Sequence, residues 1–123
     1  MSKVWFITGS SRGLGRAFAE AALASGDQVA ATARKVSDLD ALKEKYGEQV
    51  LSIALDVTSE TQAKDTIEKA IRTFGRLDIL VNNVGYGNVA PVEDTTLDDF
   101  RAQIETNLFG VIILTKAVLP YFR

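Results

Sequence analysis

Apolar positions along this chain switch between two spacings. Short unbroken runs stand at Val4-Trp5-Phe6-Ile7, at Val29-Ala30-Ala31, and within residues 50–55 and 77–82. Runs of this length between turn residues read as strands buried on both faces. Between them the spacing becomes helical. Leu14, Phe18, Ala21 and Ala22 follow the first run, and Gly26 closes that helix. The pattern predicts a strand over residues 3–8, a helix over 14–25 and a strand over 28–33. A short helix capped by Ser37 or Asp38 then reaches about residue 46 and ends at Gly47. A third strand covers 50–55. Ser59-x-x-Gln62 forms a capping box, and the helix behind it places Ala63, Ile67, Ala70, Ile71 and Phe74 on one face before Gly75 stops it. A fourth strand covers 77–82 and a loop 85–91. Thr96-x-x-Asp99 caps a last helix that runs to the end of the sequence, bent or broken near Gly110 and bent or ended by Pro120. Strands alternating with helices imply a parallel sheet with right-handed crossovers.

The length of 123 residues and an apolar content of 46% fit one domain spanning residues 1–123 with a core of its own. A net charge of −2 without a basic stripe argues against a nucleic-acid partner. The sequence has no cysteine and no histidine, which removes disulfides, thiol and Ser-His catalysis and the usual zinc ligands, so no metal site is expected. No signal peptide fits the first residues, and no apolar run approaches the ~20 residues that span a bilayer. The expectation is a cytoplasmic protein without a membrane partner.

The candidate chemistry is concentrated in Thr8-Gly9-Ser10-Ser11-Arg12-Gly13-Leu14-Gly15, between the first strand and the first helix. Gly9 permits the tight turn, Gly13 lets backbone amides approach a phosphate, and Gly15 lets the helix pack close to the sheet. The helix N-terminus offers N–H groups and a partial positive charge to a pyrophosphate. The spacing is G-x-x-x-G-x-G, not the common G-x-G-x-x-G, and alone it is weak evidence for a ligand. A second motif, Asn82-Asn83-Val84-Gly85, ends the fourth strand.

Together the two motifs resemble the classical short-chain dehydrogenase/reductase family, whose signature is T-G-x-x-x-G-x-G followed by N-N-A-G. Val84 stands where the family usually has Ala. The resemblance covers the whole sequence but only about the first half of the family's fold. It implies an α/β fold: a Rossmann-like doubly wound parallel sheet, truncated to about four strands in the order 3-2-1-4, with flanking helices. Strand 77–82 would then be an open edge, apolar on both faces. The last helix, with Leu108, Phe109, Val111, Ile112, Ile113 and Leu114 pointing in nearly all directions, should be buried on more than one side. A homo-oligomer through that edge, through the helix over 100–123, or through both is expected.

The resemblance places a dinucleotide on Thr8, Gly9, Ser11, Arg12, Gly13, Leu14 and Gly15, and on Asn82, Val84 and Gly85, with Asn83 tying the fourth strand to its neighbours. Asp56 and Val57 would contact adenine. The second strand ends Thr32-Ala33-Arg34-Lys35 without the carboxylate that accepts a ribose 2′-OH in NAD-preferring members of this general fold. Arg34 with Arg12 would instead hold a 2′-phosphate, favouring NADP over NAD. Asp38 reads as a helix cap, not as a ribose ligand. Asn107 matches the Asn of the family's catalytic tetrad, where it holds the helix and a water in a proton relay beside a Ser, a Tyr and a Lys. No Tyr-x-x-x-Lys occurs: the residues four beyond Tyr46 and Tyr86 are Val50 and Ala90, and the sequence ends two residues after Tyr121. The implied activity is hydride transfer between NADP(H) and an alcohol or ketone, with this chain supplying the cofactor half and one tetrad member and expected to be inactive alone. A non-catalytic dinucleotide-binding module and a self-associating module remain as alternatives.

Overall fold

A computed structural model describes residues 2–83 and 96–122. Val84, Gly85, Tyr86 and the expected loop over 85–91 lie outside the described residues. Four strands, β1 (Val4–Ile7), β2 (Gln28–Ala33), β3 (Val50–Ala54) and β4 (Ile79–Val81), form one parallel sheet in the order β3-β2-β1-β4. The helices are α1 (Gly13–Ala24), α2 (Asp40–Tyr46), α3 (Glu60–Phe74), α4 (Leu97–Ile104) and α5 (Gly110–Phe122). This is the doubly wound arrangement expected from the sequence.

Alternate residues of each strand feed two cores. Val4, Phe6, Ala30 and Ile53 meet Ala63, Ile67 and Ala70 of α3 and Leu114 and Val118 of α5. On the other face, Ile7, Val29, Ala31 and Val50 meet Ala19, Ala22 and Leu23 of α1 and Leu42 of α2. The period of two along a strand makes this sharing unavoidable once both faces are covered.

Several local expectations change. In α1 the buried side is Gly15, Ala19, Ala22 and Leu23, while Leu14 is 62% and Phe18 40% exposed. So many positions of this helix are apolar that hydropathy alone does not set its phase. Neither Ser37 nor Asp38 caps a helix: Val36–Leu39 is a 3₁₀ turn, and α2 starts after Leu39 with no side-chain cap. Ser59 Oγ accepts from Gln62 N at 3.2 Å, but Gln62 Oε1 turns away from the reciprocal bond of a capping box and accepts from Asp56 N at 2.9 Å. Thr96 caps α4 as expected, accepting from Asp99 N at 3.1 Å. The bend near Gly110 is a π-helical turn over Glu105–Phe109 joining α4 to α5, and the helix continues past Pro120 to Phe122.

The last helix is buried within the chain on one face only, through Thr106, Gly110, Leu114 and Val118. Leu108, Phe109, Ile112 and Leu119 stay exposed. As one stretch, Leu97–Phe122 has 26 residues and is long and apolar enough to cross a membrane by length and composition. Its Leu114 and Val118 side chains nevertheless belong to the core it shares with α3 and the sheet.

The fourth strand is shorter than 77–82 because a side chain takes over its first ladder position. Asp78 Oδ2 accepts from Val4 N at 2.8 Å, and Asp78 N donates to Val4 O at 2.9 Å. Arg76 grips the same carboxylate with Nε and Nη2 at 2.8–3.1 Å. The Arg76 bonds hold the Asp78 carboxyl below the ordinary 3.8, with Val4 N–H adding to the effect. Asp27 is lowered likewise by the Lys3 N–H and the Trp5 indole. A carboxyl whose folded pKa is depressed stabilises the fold above its unfolded value, and that contribution is lost as the pH falls through the folded value. Urea midpoints should therefore decline below about pH 3.8. Asp78→Ala, which leaves Val4 N–H without its acceptor, should cost about 1–2 kcal/mol at neutral pH. It should also flatten the acid decline. An unchanged midpoint and pH profile would contradict the role of this bond.

Candidate functional site

The turn between β1 and α1 is assembled around Ser10, which is fully buried. Its Oγ donates to Ile7 O at 2.7 Å, its N–H donates to Thr32 O at 2.9 Å, and Oγ accepts from Thr32 N at 3.4 Å. These bonds tie the glycine turn to the end of β2 and so carry Arg34 towards Arg12. Ser10 was not singled out from the sequence. Its only signal there is a small polar residue just after the strand, where a tight turn leaves backbone groups unpaired.

A second set of bonds ties the turn to β4. Thr8 is buried; its hydroxyl donates to Val81 O at 3.3 Å and accepts from Asn83 N at 2.8 Å. Asn83 Nδ2 reaches Gly9 O at 3.5 Å. Gly9 and Gly13 have φ of +63° and +61°, in the left-handed region. Gly15 is needed for a different reason: a Cβ there would overlap Gly9 O and lie 2.5 Å from Asn83 Nδ2.

The turn borders a cavity of about 600 Å³, a size usual for small-molecule sites. It lies beyond the C-terminal ends of the strands, where open α/β sheets bind ligands. Of the residues singled out from the sequence, Gly9, Ser11, Arg12, Arg34 and Val57 line it. Ala33, Lys35, Asp38, Leu55 and Asn83 complete the lining. Thr8 and Gly15 stand behind the wall as struts. Leu14 is exposed at the start of α1, whose cap residue Arg12 is extended and makes no side-chain cap bond. The first-turn N–H groups therefore have no acceptor from the cap.

The two asparagines divide their work differently from the expectation. Asn83 is both the tie to the turn and the cavity-lining residue, while Asn82 is exposed and donates from Nδ2 to Thr115 Oγ1 on α5 at 3.4 Å. Successive residues leaving a strand point to opposite sides, so only one can face the turn. Val84 and Gly85 lie outside the described residues.

Asp56 closes the β3–α3 turn. Its Oδ1 accepts from Thr58 Oγ1 at 2.7 Å and from Thr58 N at 3.0 Å, and lies 3.8 Å from Arg34 Nη2. The Thr58 bonds, then the Arg34 charge, keep its carboxyl below the ordinary 3.8. The Arg34–Asp56 pair is loose, its side chains 75% and 42% exposed, so it holds Arg34 only weakly. Val57 is packed beneath Gly110 of α5, where a Cβ would come within 2.7 Å of Val57 Cγ2. Asn107 lies one turn earlier, in the π-helical turn, and is exposed. The extra residue of a π turn shifts the helix phase, and such turns recur at functional sites. Among the described residues, no group of acidic side chains is arranged to hold a metal ion.

Residues 3–123 match the family model described as short chain dehydrogenase. The chain is 55% identical to the oxidoreductase BOA17 of Botryotinia fuckeliana, over 100% of this chain and 45% of that protein. It is 34% identical to the NADP-dependent 3-hydroxy acid dehydrogenase YdfG of Salmonella typhi, over 93% of this chain and 46% of that protein. A solved short-chain dehydrogenase from Streptomyces avermitilis superposes with a TM-score of 0.95 at 42% identity, over 100% of this chain and 45% of that one. The chain thus spans less than half the length of these relatives.

At an ordinary helix position, Gly→Ala stabilises by roughly 0.5–1 kcal/mol. At Gly15 the overlap with the turn should reverse the sign, Gly15→Ala costing about 1–3 kcal/mol in urea unfolding. A variant as stable as the parent would show that the turn and α1 are not packed as described.

Proposed function

The chain belongs to the short-chain dehydrogenase family, and on that premise we propose that it is the cofactor-binding portion of an NADP-dependent oxidoreductase acting on an alcohol or ketone. The observation that carries the cofactor reading is the shared cavity of Arg12 and Arg34, with Lys35 beside them and no carboxylate at the last positions of β2. Two guanidiniums directed at one phosphate are a strong anion-binding combination. The residues present fit such a ligand. The glycine turn and the free first turn of α1 would take the pyrophosphate. Arg34 and Arg12 would take the 2′-phosphate, and Asp56 and Val57 the adenine. Asn83, and with it Asn82, Val84 and Gly85, would line the path towards the nicotinamide.

Bound NADP(H) supplies hydride transfer. The chain's own part is to hold and orient it: the Thr8–Val81–Asn83 bonds keep the turn and the β4 end in register, and Ser10 keeps the arginines together. Asn107, by family resemblance, would anchor a water in the proton path. The proton-donating Tyr-x-x-x-Lys of the family does not occur in this sequence. Carbonyl reduction is therefore proposed for the fold extended to the length of its relatives.

A self-associating role is favoured by a separate observation. All three residues of β4, at the sheet edge, are only half-buried, and the last helix leaves Leu108, Phe109, Ile112 and Leu119 exposed. Edge strands and apolar patches of this kind require cover.

Fluorescence titration tests the cofactor reading. NADPH should bind more tightly than NADH, and Arg34→Ala should lose about 1.5–3 kcal/mol of NADPH affinity, the worth of charged hydrogen bonds, with NADH affinity nearly unchanged. Equal losses for both cofactors would sink it. Sedimentation velocity tests self-association: a concentration-dependent dimer or larger species is expected, and a monodisperse monomer would refute it.

A further inference from the structure

Asp38 lines the same cavity as Arg12, Arg34 and Lys35, and nothing in the reading above uses it. It caps no helix. The 3₁₀ turn Val36–Leu39 starts from Lys35, α2 starts from Leu39, and neither start carries a side-chain cap bond. Among the described residues no ion pair joins Asp38 to a cation, although three cations share its cavity; Arg34 pairs with Asp56 instead, at 3.8 Å. The backbone that carries it is nonetheless held in place. Asp38 N donates to Lys35 O at 3.0 Å, and the next residue, Leu39, is 1% exposed and packed in the core with Leu42. An exposed acidic residue with no ion-pair partner among the described residues thus lines, on an anchored turn, the cavity that the arginines make attractive to anions.

We propose that Asp38 is a specificity-determining residue of the adenosine end of this cavity, where its negative charge opposes a 2′-phosphate and leaves unphosphorylated adenosine unaffected. The inference rests on the reading of the cavity as a dinucleotide site and adds a second determinant, of opposite sign to Arg34. Discrimination is a difference of two affinities, and a repulsive group lowers one of them without touching the other. The site is then a tempered NADP site: it prefers the phosphorylated cofactor but accepts NADH over a narrower ratio than its cations alone would set. An exposed charge contact shifts an equilibrium by a few-fold, and a phosphate near neutral pH carries more than one charge.

The test is a charge series at position 38 with NADPH and NADH titrated separately at fixed salt. Asp38→Asn removes the charge and keeps the shape; Asp38→Lys reverses it; Asp38→Glu restores it. Because the side chain is exposed and makes no hydrogen bond or ion pair among the described residues, all three should fold, as circular dichroism would register. Asp38→Asn should tighten NADPH about 3- to 10-fold and leave NADH within about 2-fold. The preference for NADPH should rise in the order Asp, Asn, Lys, and Asp38→Glu should return the parental ratio. A preference that stays flat or falls across the series overturns the inference. If the parent prefers NADPH and loses that preference on Arg34→Ala while the series is flat, only Asp38 is misassigned. If the parent binds neither cofactor, the cavity reading and this inference fail together.

Discussion

The Thr8 hydroxyl is the joint on which the rest of this molecule depends. It is buried between the ends of β1 and β4, donating to Val81 O and accepting from Asn83 N. A buried hydroxyl with both its donor and its acceptor used fixes two chain segments at once, and losing either partner would strand a polar group. Here the two segments are the glycine turn and the asparagine motif, 73–75 residues apart in sequence. Asn83 then reaches across to Gly9 O, and the space left beneath is so small that only glycine fits at position 15. The phase of α1 follows from that contact, and with it the direction of the helix N-terminus.

Ser10 performs the matching task towards β2. Its bonds to Ile7 and Thr32 bring the end of β2 under the turn, which is why Arg12 and Arg34, 22 residues apart, share one cavity. The gathering of these cations at one cavity is thus a consequence of backbone stitching and not of a cluster in the sequence. Asp56 and Asp38 differ: Asp56 lies 3.8 Å from Arg34 and is spent on the β3–α3 turn through Thr58, while Asp38 lines the cavity of the cations with no ion pair among the described residues. At the opposite side of the sheet, among the described residues, β4 is a half-buried edge strand and the outer face of the last helix exposes Leu108, Phe109, Ile112 and Leu119.

Much of this was legible before the structure. The strands, the two motifs and the α3 face could be read because each rests on a local rule: continuous apolar runs, glycines at fixed offsets, or helical spacing that leaves one solution; the strand order followed only from the family resemblance that the motifs carry. What was not legible depends on tertiary contacts. Leu14 and Phe18 look like the inner face of α1, but Gly15 decides the phase. Asp38 looks like a cap because acidic residues often stand before helices, yet it lies in a 3₁₀ turn anchored by buried Leu39 and lines the cavity without capping a helix. Asn82 and Asn83 are equivalent as letters, and only the pairing of β4 with β1 separates them. The π-helical turn around Asn107 had no sequence signal beyond an expected irregularity near Gly110. The NADP preference and the roles of Val84, Gly85 and Asn107 remain proposals on which binding experiments bear.

The stitched ends of β1, β2 and β4 are proposed to make a preorganised dinucleotide cradle in this chain. The most direct measurement is the set of backbone amide shifts of the ¹⁵N-labelled chain titrated with NADPH. The account predicts saturable shifts at residues 9–15, at Arg34, Lys35 and Val57, and at Asn83, with the exposed face of α5 unmoved. No saturable shift, or shifts confined to residues 97–122, would contradict it.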